Sequence, residues 1–216
     1  MKKLLIVVLT ALLMLFVSFR LGVSALAGMP GFFRSAFEAC GSVEETGVSI
    51  EELMRVHLLT TGYIKGEEDS LHIVCERYDG PIEFYKEDEK AHLQDVRDLY
   101  RVSGKLLIPA VPALLAAIVI LLFRKDGGRD IRTSCTVCLA VTLACTLFPD
   151  TAFTVFHRIL FPQGNWIFYP DISLMVKLYS DGVFLRCGIF TGAVAAAFFG
   201  ALFLVSIISD RKRINL

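Results

Sequence analysis

Two short stretches of this chain combine a histidine with neighbours that suit proton transfer. In the first, His92 lies within one helical turn of Asp88, Glu89 and Asp95 if the surrounding residues form a helix. A nearby carboxylate tends to raise the pKa of an imidazole and can fix its tautomer, which suits a general base. The same pattern is typical of an ordinary charged helix face, and spacing alone leaves both interpretations open.

The second stretch runs from Asp150 to Trp166 and is apolar and aromatic around His157 and Arg158. Pro149 predicts a kink or an end of the helix before it. The stretch is then expected to fold back along the membrane interface, where a purely structural aromatic belt is the alternative to a site. Its predicted anchors at headgroup depth are Trp166, Phe168 and Tyr169.

Several common catalytic motifs are missing from the sequence. It has no Gly-x-Ser-x-Gly elbow, no His-Glu-x-x-His, no phosphate loop and no dinucleotide glycine fingerprint. Cys135-x-x-Cys138 is a weak redox or metal pattern, because both thiols lie in an apolar block where free cysteine behaves as a small hydrophobe. Cys40 and Cys75 share an acidic segment and could form a disulfide if that segment is extracellular, which spacing does not decide.

The elements that must position these residues are predicted from hydrophobic blocks. Hydrophobic residues make up 55% of the 216 residues, the mean hydropathy is +0.60, and the apolar residues are concentrated in four blocks. Blocks near 20 residues predict membrane-spanning helices, here at 4–27, 105–123, 133–150 and 183–208. The first block could instead be a cleaved signal peptide. The third carries several hydroxyls, which we expect to be buried against other helices.

Charge asymmetry predicts the orientation of these spans. Basic residues precede block one, join blocks two and three, and follow block four, so the positive-inside rule places both termini and the loop 124–132 in the cytoplasm. The basic residues are Lys2, Lys3, Arg124, Lys125, Arg129, Arg132, Arg211, Lys212 and Arg213. Residues 28–104 and 151–182 are then extracytoplasmic, and 209–216 form a cytoplasmic tail. Residues 28–104 carry 16 acidic and 8 basic side chains, which argues against nucleic acid as a partner.

The segment 28–104 is predicted to be mostly helical. Ser49-Ile-Glu-Glu52 forms a capping box that should open a helix fading near Gly62. A short apolar patch at 71–74 suggests a strand, and a second helix is predicted from Lys86 to about Val102, leading into the second span.

Two segments of the chain resemble one family of bacterial membrane proteins. The first is Glu89-Lys-Ala-His92-Leu-Gln-Asp95-Val96-Arg97, and the second is Phe156-His157-Arg-Ile-Leu-Phe161-Pro-Gln-Gly-Asn165-Trp166-Ile-Phe168 followed by Asp171. They are similar to the two motifs of the lipoprotein intramolecular transacylases, called Lit, which are small four-helix proteins. The chain departs from the family pattern at Leu93, where methionine is common, and at Tyr179-Ser180-Asp181, where a Leu-Pro-Glu-like run is usual.

The resemblance implies an all-α membrane protein of a bacterial plasma membrane. Four transmembrane helices would carry a mostly helical extracytoplasmic domain between helices 1 and 2 and a re-entrant or interfacial segment between helices 3 and 4. It also implies an acyltransferase with its active site at the outer face. That enzyme would move the sn-2 acyl chain of a diacylglyceryl-cysteine lipoprotein to the α-amine of the same cysteine.

The resemblance also implies roles for particular residues. His92 would act as general base, oriented by Glu89 or Asp95, and His157 would donate to the oxyanion or protonate the leaving oxygen, with the two roles exchangeable. The residues expected to position the ester and headgroup region are Tyr63, Arg97, Asn165 and Trp166. No cofactor or metal is required, a monomer is expected, and the partners would be diacylated lipoproteins and membrane lipid.

Two other functions fit the residues. One is a non-enzymatic membrane protein whose acidic outer segment binds a partner, in which case His92 and His157 matter only for stability. The other is a metal-dependent membrane hydrolase that uses both histidines with carboxylates such as Asp95 or Asp171.

Overall fold

The computed structural model describes the backbone of residues 2–214 and the side chains of residues 4–211. Four of its helices are long and apolar enough to cross a membrane. They are α1 (Lys2–Leu26), α5 (Glu87–Phe123), α6 (Gly127–Leu147) and α9 (Asp181–Ile214). The predicted fold class, an all-α membrane protein with four spanning helices, is confirmed. The side chains of Lys2, Lys3, Lys212 and Arg213, used in the orientation prediction, lie outside the described residues, as do the last two residues of the predicted tail.

The remaining elements are short. They are the helices α2 (Pro30–Ala39), α3 (Ser42–Thr46), α4 (Ile50–Lys65), α7 (Pro149–Leu160) and α8 (Leu174–Leu178), and the strands β1 (Val74–Arg77) and β2 (Gly80–Glu83). Backbone contacts divide the chain into two units. One comprises Met1–Ser24, Gly104–Phe148 and Ile189–Leu216, and the other comprises Ala25–Ser103 and Pro149–Gly188.

Several predicted element boundaries can be compared with the helices. Ser49 caps α4 as expected, because its hydroxyl accepts a hydrogen bond from the backbone N–H of Glu52 at 3.3 Å. The helix predicted from Lys86 does not stop before the second span, since α5 continues to Phe123. Pro149 marks a helix boundary as predicted: α6 ends at Leu147, and α7 begins at the proline, whose missing N–H costs nothing in a first turn.

The first unit has a core of apolar side chains from its membrane-type helices. Met14 of α1, Leu121 of α5, Cys138 of α6 and Phe199 of α9 are all buried in this cluster. Cys135 and Cys138 are free thiols with no exposed surface, so both behave as core residues.

The hydroxyls of α6 divide between two environments. Ser134 donates to the carbonyl of Val7 at 3.1 Å, and the Cys138 thiol donates to the carbonyl of Ala11 at 3.4 Å, so one face of α6 packs on α1. Thr136 is exposed and donates to its own helix at the carbonyl of Arg132. The expected burial of hydroxyls against other helices therefore holds for Ser134 and is wrong for Thr136, whose hydrogen bond its own backbone satisfies.

The second unit contains a hairpin that the sequence hardly indicates. Strands β1 and β2 pair in antiparallel fashion with Arg77 opposite Gly80, and the strand expected at 71–74 starts only at Val74. Cys75 is buried in β1, while Cys40 ends α2, and both are free thiols rather than a disulfide. A Cβ added to Gly182 would lie 2.9 Å from the Cys40 sulfur, so this thiol packs against Gly182.

Candidate active site

The first turn of α5 fixes the helix that carries His92. Glu89 is fully buried, and its carboxylate accepts hydrogen bonds from the backbone N–H of Lys86 at 2.8 Å and from the hydroxyl of Ser173. The first bond closes the helix start in the manner of a capping box, and the second ties in the chain before α8. Glu89 therefore uses its oxygens on partners other than His92, which lies one turn further along.

His157 lies near the end of α7 and packs against two aromatic rings. Its ring centroid is 3.9 Å from that of Phe153 and 5.0 Å from that of Trp166, with interplanar angles of 35° and 37°. Its Nδ1 is 2.8 Å from the carbonyl oxygen of Phe153, one turn earlier in the helix. Because a carbonyl only accepts, Nδ1 carries the proton, and Nε2 of the neutral ring has the free lone pair.

The structure brings the two predicted histidines together. The ring centroids of His92 and His157 are 6.0 Å apart, and the ring of Phe161 lies 4.9 Å from the first and 5.6 Å from the second. The ring of Phe168 covers His92 at 5.7 Å. Both histidines are more than nine-tenths buried, and Nδ1 of His92 has no hydrogen-bond partner among the described residues.

Both imidazoles are held in their neutral form. Burial lowers the pKa of His92 to about 4, repulsion from His157 adds to this, and Asp95 only partly opposes it. Burial also lowers the pKa of His157, against the hydrogen bond to Phe153. The raised pKa expected for a histidine among carboxylates is therefore wrong for His92, because the loss of hydration outweighs the nearby charge.

Asp95 connects α5 to the loop after α7. Its Oδ2 accepts hydrogen bonds from the side-chain amides of Gln163 at 2.9 Å and Asn165 at 2.5 Å. Trp166, which packs on His157, is the next residue along the chain. Asp95 and Asn165 thus hold the aromatic wall of the site in place, while the side-chain oxygen of Asn165 is buried and has no hydrogen-bond partner among residues 4–211.

Two of the predicted site residues lie elsewhere. The guanidinium of Arg97 stacks over the ring of Tyr63 at 4.5 Å and lies 3.9 Å from Asp69, and the Tyr63 hydroxyl donates to Gln94. Arg97 follows His92 by five residues, which is a rotation of about 140° around a helix. Tyr63 and Arg97 therefore join α4 to the far face of α5 and are not gathered around the histidines.

A third buried histidine lies in a different setting. His57 of α4 packs 4.0 Å from the ring of Phe33, and its Nδ1 is 3.1 Å from the hydroxyl of Tyr179. Thr60 donates to the carbonyl of Val56, so its oxygen accepts from the hydroxyl of Tyr85 at 2.7 Å. Burial lowers the pKa of His57 to about 4.

Some residues of the site were not identified from the sequence. Phe153 and Phe161 lie one turn before and one turn after His157, a spacing that places all three on one side of a helix and could have indicated them. Gln163 stands inside the second motif between two identified positions. Ser173 has no such pattern, because its bond to Glu89 joins residues far apart in the sequence.

The metal-dependent alternative lacks a ligand set. Among the side chains of residues 4–211, no three His, Cys, Asp or Glu are arranged to hold a metal ion. Asp171 is exposed, and Asp95 is engaged by two amides.

Comparison with known proteins identifies related folds and a family. The solved structure of the membrane-integral lipoprotein intramolecular transacylase Lit from Bacillus cereus matches with a TM-score of 0.77 and 13% identity, over 100% of this chain and 99% of that one. Structures of that protein with one histidine replaced by arginine or by alanine match with TM-scores of 0.72, at 13% and 12% identity, over 100% of this chain and 95% and 96% of theirs. No curated protein is similar enough in sequence to match. The model of the family described as lipoprotein intramolecular transacylase Lit matches residues 6–184, and the chain therefore belongs to that family.

Proposed function

We propose that this protein transfers the sn-2 acyl chain of a diacylglyceryl-cysteine lipoprotein to the α-amine of that cysteine. The carrying observation is the pair of buried, neutral histidines whose rings lie 6.0 Å apart on α5 and α7. In the reaction the ester C–O bond breaks and a C–N amide bond forms. One proton passes from the amine to the glyceryl oxygen, so no water or cofactor is consumed.

The chemistry needs a base and a hydrogen-bond donor, and two neutral imidazoles can supply both. The α-amine has a pKa near 7.7–8.0, so part of it is protonated at neutral pH, and its attack must release a proton. The tetrahedral intermediate carries an oxyanion that a donor must stabilise. Because amine and ester belong to one molecule, positioning supplies much of the rate, and an enzyme nucleophile is unnecessary.

The tautomer of His157 supports one of the two possible divisions of roles. With its Nδ1 proton committed to Phe153, the neutral ring offers a lone pair at Nε2 and is suited to accept the proton of the amine. His92 then donates to the oxyanion from its neutral form, and the protonated His157 returns its proton to the leaving oxygen. This exchanges the roles suggested by the sequence, in which His92 was the base.

The aromatic rings have a supporting role in this proposal. Phe153 and Trp166 pack against the His157 ring and fix its orientation, and Phe161 and Phe168 exclude water from His92. Asp95 and Asn165 act through the loop that carries Trp166. Lipoproteins and lipid are accordingly the proposed partners, and the outer face of a bacterial plasma membrane is the proposed location.

Mass spectrometry of a lipoprotein from cells that lack other N-acylation tests the proposal. When this chain is expressed, the total acyl mass should stay unchanged while fragment ions place one chain on the cysteine amine. A gain of one chain would show transfer from a separate lipid donor. A free amine, in cells where the protein is inserted, would contradict transacylation and favour a non-enzymatic role.

A further inference from the structure

An open groove of 270 Å³ leads away from the histidine pair along α5. One side is formed by α5 residues at the spacing of a single helix face, and the other by the end of α7 and the loop after it. The lining residues are Asp95, Asp98, Leu99, Val102, Leu160, Phe161 and Gln163. Phe161, whose ring contacts both histidines, stands where the groove meets the site.

The polar residues of the groove lie at its head, which is the end near the histidines, and along its rim. They form hydrogen bonds or ion pairs with their neighbours. Asp95 accepts from Gln163 and Asn165, so its carboxylate is satisfied. Asp98 is half exposed, lies 3.6 Å from the guanidinium of Arg101 and accepts from Gln94, which directs its charge to the rim. The interior left between them is formed by Leu99, Val102, Leu160 and Phe161, and it suits an apolar occupant.

The groove runs toward the apolar part of its own helix. From Asp95 to Val102 it follows α5 for seven residues, a length of about 10 Å. The apolar stretch 105–123 of α5 begins three residues later. Val102, at the far end, exposes 52% of its surface and Leu160 exposes 38%, as residues do where lipid can cover them. An apolar chain that enters the groove from a bilayer would pass along apolar side chains first. It would reach polar groups only at the head of the groove, the end near the histidines.

We propose that this groove binds the fatty acyl chain that is being transferred, with its carbonyl carbon at the histidines and its methylene groups along Leu99 and Val102. The inference rests on the proposed transacylase function. The acyl group is the part of the substrate that is bonded to the reacting carbon in the ester, in the intermediate and in the amide. Holding its chain keeps that carbon fixed while the oxygen leaves and the nitrogen arrives.

Narrowing the groove should therefore select against long chains. In Val102→Trp and Leu160→Trp, kcat/KM for a dipalmitoyl lipopeptide should fall about tenfold or more, because exclusion of two or more methylene groups removes that much binding free energy. Val102→Trp should keep its activity on a dihexanoyl lipopeptide, whose chains end before they reach that residue. Purified full-length protein in detergent micelles and mass spectrometry of the product suffice. Ile159→Trp, on the exposed face of α7 outside the groove, is the matched control.

The outcomes separate this inference from the function on which it rests. Equal losses on long and short chains in Val102→Trp, or no loss on either, would overturn the groove assignment while transacylation by the unmodified protein stands. If the unmodified protein transfers neither chain, the proposed function itself fails.

Discussion

His57 and the pair His92 and His157 differ in what surrounds them rather than in how deeply they lie. All three are buried, and burial lowers the pKa of each, to about 4 for His57 and His92. His57 packs against Phe33, and its Nδ1 shares a hydrogen bond with the hydroxyl of Tyr179. His92 faces a second imidazole, and its Nδ1 has no hydrogen-bond partner in the part of the chain that the structure describes. A lowered pKa thus accompanies both a histidine in a packed core and the histidines of the proposed active site, and the neighbours distinguish them.

The largest effect on activity is expected from substitutions at the paired histidines. His92→Ala and His157→Ala should each lower the transfer rate by about 10²–10⁴-fold, because each removes a group that handles a proton or an oxyanion. Product formation on a defined lipopeptide, followed by mass spectrometry, measures the rate.

His72→Ala is the matched control, since the His72 side chain is 73% exposed and pairs with Glu83 at the surface. Transfer by that variant should match the unmodified protein. Full activity in both alanine variants of the pair would refute the assigned site.

The His57 side of the comparison predicts a loss of stability instead. His57→Ala should lower the free energy of unfolding by about 2–4 kcal/mol, because it leaves a cavity beside Phe33 and an unpaired Tyr179 hydroxyl. Thermal unfolding in micelles measures this. Activity per folded molecule should be unchanged, and a selective loss of kcat would place His57 in the catalytic machinery.

The two low pKa values also predict an acid limit to stability. An unfolded histidine, with a pKa near 6.5, binds a proton that buried His57 and His92 do not bind until about pH 4. The unfolded state therefore binds more protons in that range, and stability falls as the pH falls from 6.5 toward 4. Each histidine should contribute on the order of 2–3 kcal/mol to this fall.

Unfolding measured at pH 7 and at pH 4.5 tests the direction and its source. His57→Ala should flatten the dependence on pH, since the variant has one group fewer to protonate. A stability that rises on acidification would show that these histidines gain a charged partner on folding.

Asp95 should have an intermediate effect. In Asp95→Asn, a neutral amide oxygen replaces the charged carboxylate that accepts from Gln163 and Asn165, so both hydrogen bonds weaken and the loop that carries Trp166 is held less firmly. We expect kcat to fall about tenfold, as is common when a supporting hydrogen bond is removed from a site. Asp88→Asn, at the exposed start of α5, should leave kcat unaltered. Equal behaviour of the two variants would contradict a positioning role.

The smallest effect is expected at Tyr63. Removing its hydroxyl in Tyr63→Phe breaks the bond to Gln94 and should cost about 1 kcal/mol of stability, with kcat within about twofold of the unmodified protein. A tenfold loss of kcat would return Tyr63 to the substrate-positioning role that the resemblance implied.

The sequence predicts what depends on local pattern. Apolar block length identified the four long helices, a capping box identified the start of α4, and Pro149 identified the break between α6 and α7. It did not predict the β1–β2 hairpin, because short strands are stabilised by pairing with each other rather than by their own composition. It also could not assign Tyr63 and Arg97 to the far side of α5, since that depends on where α4 packs.

The site was predictable to the same extent. The two histidines were identified through their motifs, but their tautomers and low pKa values follow from tertiary burial, which outweighs the carboxylates visible in the sequence. The bonds from Ser173 to Glu89 and from Gln163 to Asp95 join residues 84 and 68 positions apart. No local spacing encodes contacts of that kind.

The bond between His157 and the carbonyl of Phe153 has a consequence for how this chemistry could arise and persist. Because both partners belong to one turn of α7, the proton position is encoded within five consecutive residues and needs no distant carboxylate to select it. Residues elsewhere in the protein can then be substituted without changing which nitrogen of His157 carries the proton. Because α7 itself fixes the tautomer of His157, the proposed base is in its reactive form before a lipid binds. Its imidazole need not reorient on binding.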